Sequence, residues 1–504
     1  MSRLSPGLRR ALETLAWTAI FALAYAQSPL YTSNQNQYFL HGLARAGVGF
    51  LRHDWLAGTA EPTPLFTALV QIVATTVGPS AFYLLYAGLM GVYLFSLADI
   101  GRSVFDLSPS GRRALLALLV VVHSAGLRHA LARLLAPEAE YLLEGGLAGQ
   151  RLLGAVLQPS VFGVFLVTSL AFFLRGHRVY AALALALAAT IHPTYLLGAG
   201  LLLAIYVGID LARPDTRRHA PTMGLIGAAA LAPVAVWAFV TFRPPGADLY
   251  ARAADILIRL RIPHHTIPIK WLDFTVALQA LLVAGALVVA RRSRLFWVLL
   301  VGTLAVAALT AAQMATANPT LALAFPWRLS TVLIPVSTAC LAAAGASAIA
   351  GRRAAGVVLG LAVALAVAAG VVRFDLERRA QRDDPAAPMM DFVAARLREG
   401  QVYFIPPKLQ DFRLRTGAPI VVEAKAIPYR AEDVTAWFDR LSLARAFFRD
   451  RAEWIDCAVL GAAAREYGAT HVVLGPEQLG LECEALEELY RDEGYAVYRI
   501  TLPP

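Results

Sequence analysis

Long apolar runs recur from Ala11 to about residue 372, and each is closed by a short polar or basic turn. The first, Ala11 to Leu30, is long enough to cross roughly 30 Å of hydrocarbon. Further runs lie near residues 81–100, 114–132, 159–174, 179–191, 195–212, 222–241, 272–290, 295–313, 330–350 and 354–372. With the first they make about eleven helical spans. The longest polar interruption, Tyr31 to Pro79, follows the first span directly. Within it, Pro64 to Gly78 is apolar but short for a span, and Thr67, Gln71, Thr75 and Thr76 make it more polar than its neighbours. It is expected to lie on, or re-enter from, the outer interface.

From Arg373 the pattern changes to that of a water-exposed domain. Met389 to Arg398 reads as a helix, Gln401 to Ile405 and Pro419 to Glu423 as strands, and Ala431 to Phe448 as a helix. Ala458 to Tyr467 then Thr470 to Leu474, and Glu484 to Tyr490 then Tyr495 to Ile500, repeat a helix-then-strand order. The expected fold is mainly α, a polytopic helical bundle over residues 1–372 with its first external loop at 31–80. A small α/β domain with a largely parallel sheet follows at 373–504. No glycine-rich phosphate loop stands at a strand-to-helix turn there, so no nucleotide partner is expected.

Of 504 residues, 58% are hydrophobic and 16% charged, which excludes an ordinary soluble protein. The net charge of +10 falls in short clusters between apolar runs, the pattern of a membrane protein and not of a nucleic-acid binder. Arg3, Arg9 and Arg10 predict a cytoplasmic N-terminus. If Pro64 to Gly78 does not span, the clusters at Arg102–Arg113, Arg175–Arg178, Arg213–Arg218, Arg291–Arg294 and Arg352-Arg353 are cytoplasmic as well, and the C-terminal domain is external. The N-terminal run resembles a signal peptide, but Tyr25-Ala26-Gln27-Ser28 is a poor cleavage site, so the helix is expected to be retained. Of three cysteines, Cys340 is a core residue by its apolar setting, whereas Cys457 and Cys483 can pair in an oxidising compartment.

The polar residues of the external loops are the candidate chemistry. Asn34, Gln35, Asn36 and Gln37 supply donors and acceptors for a saccharide or phosphate, or else cap the loop beside the first helix. His53 and Asp54 follow in the same loop, where Asp54 is the only aspartate and Glu61 the only glutamate. His192 before Pro193 sits at a helix end, as a site residue or a structural cap. His264, His265 and Lys270 suit an anionic phosphate. With a carboxylate from Glu138, Glu140 or Glu144 the two histidines offer a possible divalent-cation site, although adjacent histidines without a spaced third ligand are a poor metal signature and no metal set is assigned. Arg328, after Phe325-Pro326-Trp327, can grip a lipid phosphate or anchor the span end.

The order of parts resembles the polytopic GT-C glycosyltransferases: a first span, a long loop with Asn34-to-Gln37 and His53-Asp54-Trp55, a proline-flanked juxtamembrane helix, and the Ala189-Thr190-Ile191-His192-Pro193-Thr194 corner. Phe404-Ile405-Pro406-Pro407, Phe412-Arg413 and Val421 to Pro428 resemble the tail of uncharacterised bacterial membrane proteins grouped as a domain of unknown function. The first resemblance implies a bacterial inner-membrane enzyme with a periplasmic C-terminal domain. It would take a sugar from a polyprenyl-phosphate donor, with membrane lipids around it. Members of the family carry an acidic residue soon after the first span, where this chain has only amides. The base would then be Asp54 or a carboxylate of the Glu138-to-Glu144 loop. Three other readings stand beside this one: a non-catalytic GT-C-like protein that binds a polyprenyl lipid or glycan without turnover, a transporter or flippase with a re-entrant Pro64-to-Gly78 segment, and an envelope scaffold acting through its external C-terminal domain.

Overall fold

A computed structural model describes residues 5–449, 456–478 and 483–501. The chain is mainly helical with a small C-terminal sheet, and it divides into two compact units. The first comprises Met1–Gln27, Phe82–Val240 and Leu257–Asp375, and the second Ser28–Ala81, Thr241–Ile256 and Leu376–Pro504. The Tyr31 loop therefore clusters with the C-terminal residues and not with the helical bundle.

Among the described residues, six helices are long and apolar enough to cross a membrane: Ala81–Val104, Pro193–Leu211, Arg217–Phe242, Arg294–Thr316, Pro319–Ile349 and Arg353–Arg382. Shorter apolar helices lie at Pro64–Thr76, Pro159–Leu174, Arg178–Ile191 and Phe274–Ala290. On Arg353–Arg382, Val357, Val358, Leu361, Leu365, Val371 and Val372 all point outward. A helix apolar on its exposed face is stable in lipid and not in water, so the chain is a multi-pass membrane protein.

The run read as one span at 114–132 is broken. Pro109–Val122 and Ala125–Leu134 meet at 53°, and Ser124 at the break accepts from Leu127 N at 3.2 Å. A serine that caps a new helix competes with continuation of the old one, which is why the helix turns here.

The second unit packs Ala387–Arg396 against a four-stranded sheet, with Met389, Met390, Val393, Ile405, Phe412, Val473 and Val497 in its core. The strands are β1 (Tyr403–Phe404), β2 (His471–Leu474), β3 (Leu486–Arg491) and β4 (Ala496–Ile500), in the order β1-β2-β4-β3. Only β1 and β2 are parallel; β4 runs antiparallel to both neighbours, against the largely parallel sheet expected. The residues from Glu484 to Tyr490 were expected to be helical but carry the edge strand β3. Leu486, Leu489 and Tyr490 have helical spacing, and a bulge between Glu488 and Tyr490 lets a strand carry it. Glu487 faces Arg499 across the ladder and pairs with it. The expected strand at Pro419 to Glu423 makes one bridge, Tyr403 with Ile420.

Candidate functional site

In the first unit the polar chemistry gathers on one loop, residues 135–158. Arg128, on the helix after the break, is buried, and its Nη1 donates to Glu144 Oε1 at 3.2 Å and to His123 O at 3.3 Å. Its Nη2 donates to Tyr25 O, and its guanidinium covers the Tyr25 ring at 4.0 Å. Glu144 is only 4% exposed. Burial raises its carboxyl to about 7, against the lowering pull of Arg128 and then Arg151. Arg151 lies over the Tyr141 ring at 4.0 Å, and burial raises the Tyr141 phenol.

The same loop reaches a second basic group. Arg328 Nε donates to Gln150 Oε1 at 3.0 Å, its Nη1 to His192 Nε2 at 3.3 Å, and the same nitrogen to Thr194 Oγ1. Burial, then the positive charge of Arg328, holds the His192 imidazole well below its ordinary pKa, so it accepts as the neutral ring. His265 Nδ1 donates to Ala148 O at 2.6 Å, and burial followed by His264 lowers its pKa to about 3. Arg328 and Arg261 add to that lowering, which marks a locally cationic region.

Backbone contacts hold the loop in place. Leu147 N donates to Ser330 Oγ at 2.8 Å, Gln279 Nε2 to Gly145 O at 2.9 Å and Thr338 Oγ1 to Leu143 O at 2.6 Å. Tyr86 bonds both backbone groups of Gly154. Ala148 has φ 58°, a left-handed conformation that costs a non-glycine residue energy and is held by these neighbours. Gly146 has no room for a side chain: a Cβ would meet Ser330 Oγ and lie 2.6 Å from Thr331 N. Gly146→Ala is expected to lift the loop from Ser330 and cost about 1–3 kcal/mol, read as a lower melting temperature of the purified chain.

Arg128, Glu144, Gln150, Arg151, His192, His265 and Arg328 are thus tied to one loop, which combines a single buried carboxylate with several cationic groups. Glu140 stands half-buried one residue before Tyr141; His264 and Lys270 are exposed. The rings of His264 and His265 lie 4.1 Å apart. No group of three His, Cys, Asp or Glu among the described residues can hold a metal ion, so the cation suggested for His264 and His265 does not fit. Arg128, Gln150 and Arg151 were missed. Arg128 and His123 stood inside an apolar run, where an ionisable side chain is itself a signal.

The remaining candidates lie in the second unit, where Asn36, Gln37, His53 and Asp54 meet C-terminal residues and Asn34 and Gln35 are bonded within the loop. Asn34 precedes the short helix Gln35–Tyr38, and its carbonyl accepts from Gln37 N and Tyr38 N. Gln35 Oε1 accepts from Tyr31 N at 2.7 Å, and Asn36 Nδ2 donates to Asp411 Oδ1 at 2.6 Å. Gln37 bonds Ile427 twice, accepting from its N at 2.6 Å and donating to its O at 2.8 Å. His53 is exposed, 3.2 Å from Glu399.

Asp54 is buried, its Oδ2 3.0 Å from both Arg413 Nε and Ile420 N, and its Oδ1 accepts from Leu56 N at 3.0 Å. Arg413, 2% exposed, also lies 4.0 Å from Glu423, whose carboxylate accepts from Lys425 N and Ala426 N at 2.6 Å each. Both oxygens of Asp54 are occupied within the protein.

Residues 385–444 match the profile of a domain of unknown function, DUF6798. No curated protein matches the chain. The crystal structure of ArnT from Cupriavidus metallidurans bound to undecaprenyl phosphate is similar to this chain over 98% of each, with 13% identity and a TM-score of 0.45.

Proposed function

We propose that the chain is a GT-C-like protein of the bacterial inner membrane that binds a polyprenyl-phosphate-linked sugar at the 135–158 loop and transfers the sugar, with Glu144 as the base. The observation that carries this reading is the Glu144 carboxyl, buried beside Arg128 and raised to about 7. A carboxylate of that pKa is half ionised at neutral pH and suited to take a proton from an acceptor hydroxyl. The acceptor oxygen forms its bond to the anomeric carbon as the bond to the phosphate oxygen breaks. The hydroxyl proton goes to Glu144, and the lipid phosphate leaves with the electron pair. In this reading the lipid phosphate is taken by Arg151 of the same loop and by Arg328, whose Nε and Nη1 are held by Gln150, His192 and Thr194. Glu144 takes the role that the loop sequence offered to Asp54, because the Asp54 oxygens are already engaged.

The test is reconstitution of the purified chain with polyprenyl-phosphate sugars, comparing the wild type with Glu144→Gln for binding and turnover. Lipid binding without turnover in both proteins would replace the transferase with a non-catalytic binding protein. No binding in either would favour transport or scaffolding.

The orientation proposed is cytoplasmic N-terminus and periplasmic second unit. A bridge between Cys457 and Cys483 supports it, since disulfides persist in oxidising compartments. The bridge closes a separation of 26 residues, and reducing it is expected to cost the second unit about 3 kcal/mol. A lower melting temperature in dithiothreitol, and a non-reducing gel shift of protein taken from cells with thiols blocked, check both points. Free thiols at both positions in cells would overturn this orientation.

A further inference from the structure

Arg440 of the second unit lies over two aromatic rings, its Cζ 4.5 Å from the centroid of Trp55 and 4.2 Å from that of Tyr467. Three distant stretches meet here: Arg440 lies on the helix Ala431–Phe447, Tyr467 ends the helix Cys457–Tyr467, and Trp55 follows Asp54 in the first loop. The arginine is half-buried. Its Nε is buried without an acceptor, and so is Trp55 Nε1. Leaving such donors unmet costs about 1–3 kcal/mol each, so a pair of them in one place calls for a cause.

Charge balance inside the protein is a poor cause. Asp54, whose charge is felt by Arg440, already has Arg413 at 3.0 Å, and Asp439, next to Arg440 in sequence, has Arg252 at 3.2 Å. Contact with two rings satisfies none of the guanidinium's N–H donors, which still call for an oxygen acceptor. That planar fork matches a carboxylate or a phosphate.

We infer that Arg440 and Trp55 form a second, independent binding site, which takes the carboxylate or phosphate group of a small anionic ligand. The rings hold the fork rigid, so less freedom is lost when the anion arrives. Trp55 Nε1 adds a neutral donor beside the charge. The inference does not rest on the reading of Glu144.

The test titrates the full chain in detergent with glucuronate, glucose 1-phosphate, inorganic phosphate and glucose, following tryptophan emission. Saturable binding of the acids and none of glucose is expected. A response to glucuronate alone would make the site a carboxylate site, and a response to both phosphates alone a phosphate site. Arg440→Gln is expected to weaken binding by about tenfold or more, since a charge-assisted bidentate contact is lost. Its melting temperature and circular dichroism are read first. If it does not fold, Arg440→Lys carries the comparison, because it keeps the charge and loses the fork; weaker binding is again expected. Equal binding of glucose, no saturation by any acid, or wild-type affinity in the folded variants would overturn the site.

Discussion

Asp54→Asn is expected to unfold the second unit before it reports anything about catalysis. Asp54, Arg413 and Glu423 form a buried chain of alternating charge, with Arg413 between two carboxylates at 3.0 and 4.0 Å. Removing one partner of a buried pair costs about 3–5 kcal/mol, because the other charge stays behind without water. Set against about 5–15 kcal/mol for a whole domain, that loss is large. Arg413→Met should be at least as damaging, since it strands Asp54 and Glu423 together. The double variant Asp54→Asn with Arg413→Met should recover part of the loss, as a buried pair replaced on both sides is often close to neutral. Limited proteolysis and melting of the full-length chain measure all three. A folded Asp54→Asn protein with wild-type melting and no activity would reverse the argument and return Asp54 to the chemistry.

That the chain crosses a membrane several times was legible because hydrocarbon demands length and apolarity, and both are written residue by residue; the expected count of about eleven spans was not matched, since six described helices meet both demands. The helix boundaries in the C-terminal stretch were legible for the same local reason: expected Ala431 to Phe448 became Ala431–Phe447, and Ala458 to Tyr467 became Cys457–Tyr467. What failed depended on partners far along the chain. Gln37 reads as a free amide beside a bilayer, yet its two hydrogen bonds go to Ile427, 390 residues away. Asp54 reads as the one aspartate of an external loop, yet it is neutralised by Arg413 and fixed to Ile420 N, 366 residues away. The edge strand β3 reads as a helix until the bulge that re-spaces its side chains is known.

The Glu138-to-Glu144 loop shows an intermediate case. Its carboxylates were legible as candidates, but nothing in the spacing singles out Glu144 among the three. That choice comes from burial: Glu138 is exposed and Glu140 half-buried, while Glu144 is closed in beside Arg128. Burial is set by the break at His123 and Ser124, which turns the Arg128 helix over the loop. The signal for the break, a serine followed by Ala125 and Gly126 within an apolar run, was present and was overridden by the length rule for a span.

Glu144→Gln is expected to lower turnover by about 10²- to 10⁴-fold while leaving binding of the polyprenyl-phosphate donor, the range seen when a positioned general base is lost. The amide keeps the size of the side chain and can still accept from Arg128, but it cannot take a proton. The wild-type pH profile provides the second readout. With the carboxyl raised to about 7, the base is protonated and idle at low pH, and the rate should rise as pH climbs through about 7. The variant should lose that limb and stay low across the range. Stability moves the opposite way: a raised carboxyl pKa means the folded state holds its proton longer than the unfolded one. That contribution is full below the ordinary glutamate value of 4.5 and is lost as pH rises through about 7. Glu144→Gln should flatten this fall, a change that melting curves across the same buffers detect whether or not the chain turns over a donor. An unchanged rate profile in the variant would remove Glu144 from the chemistry, and an unchanged stability slope would show that its carboxyl is not the buried, raised group on which the proposal stands.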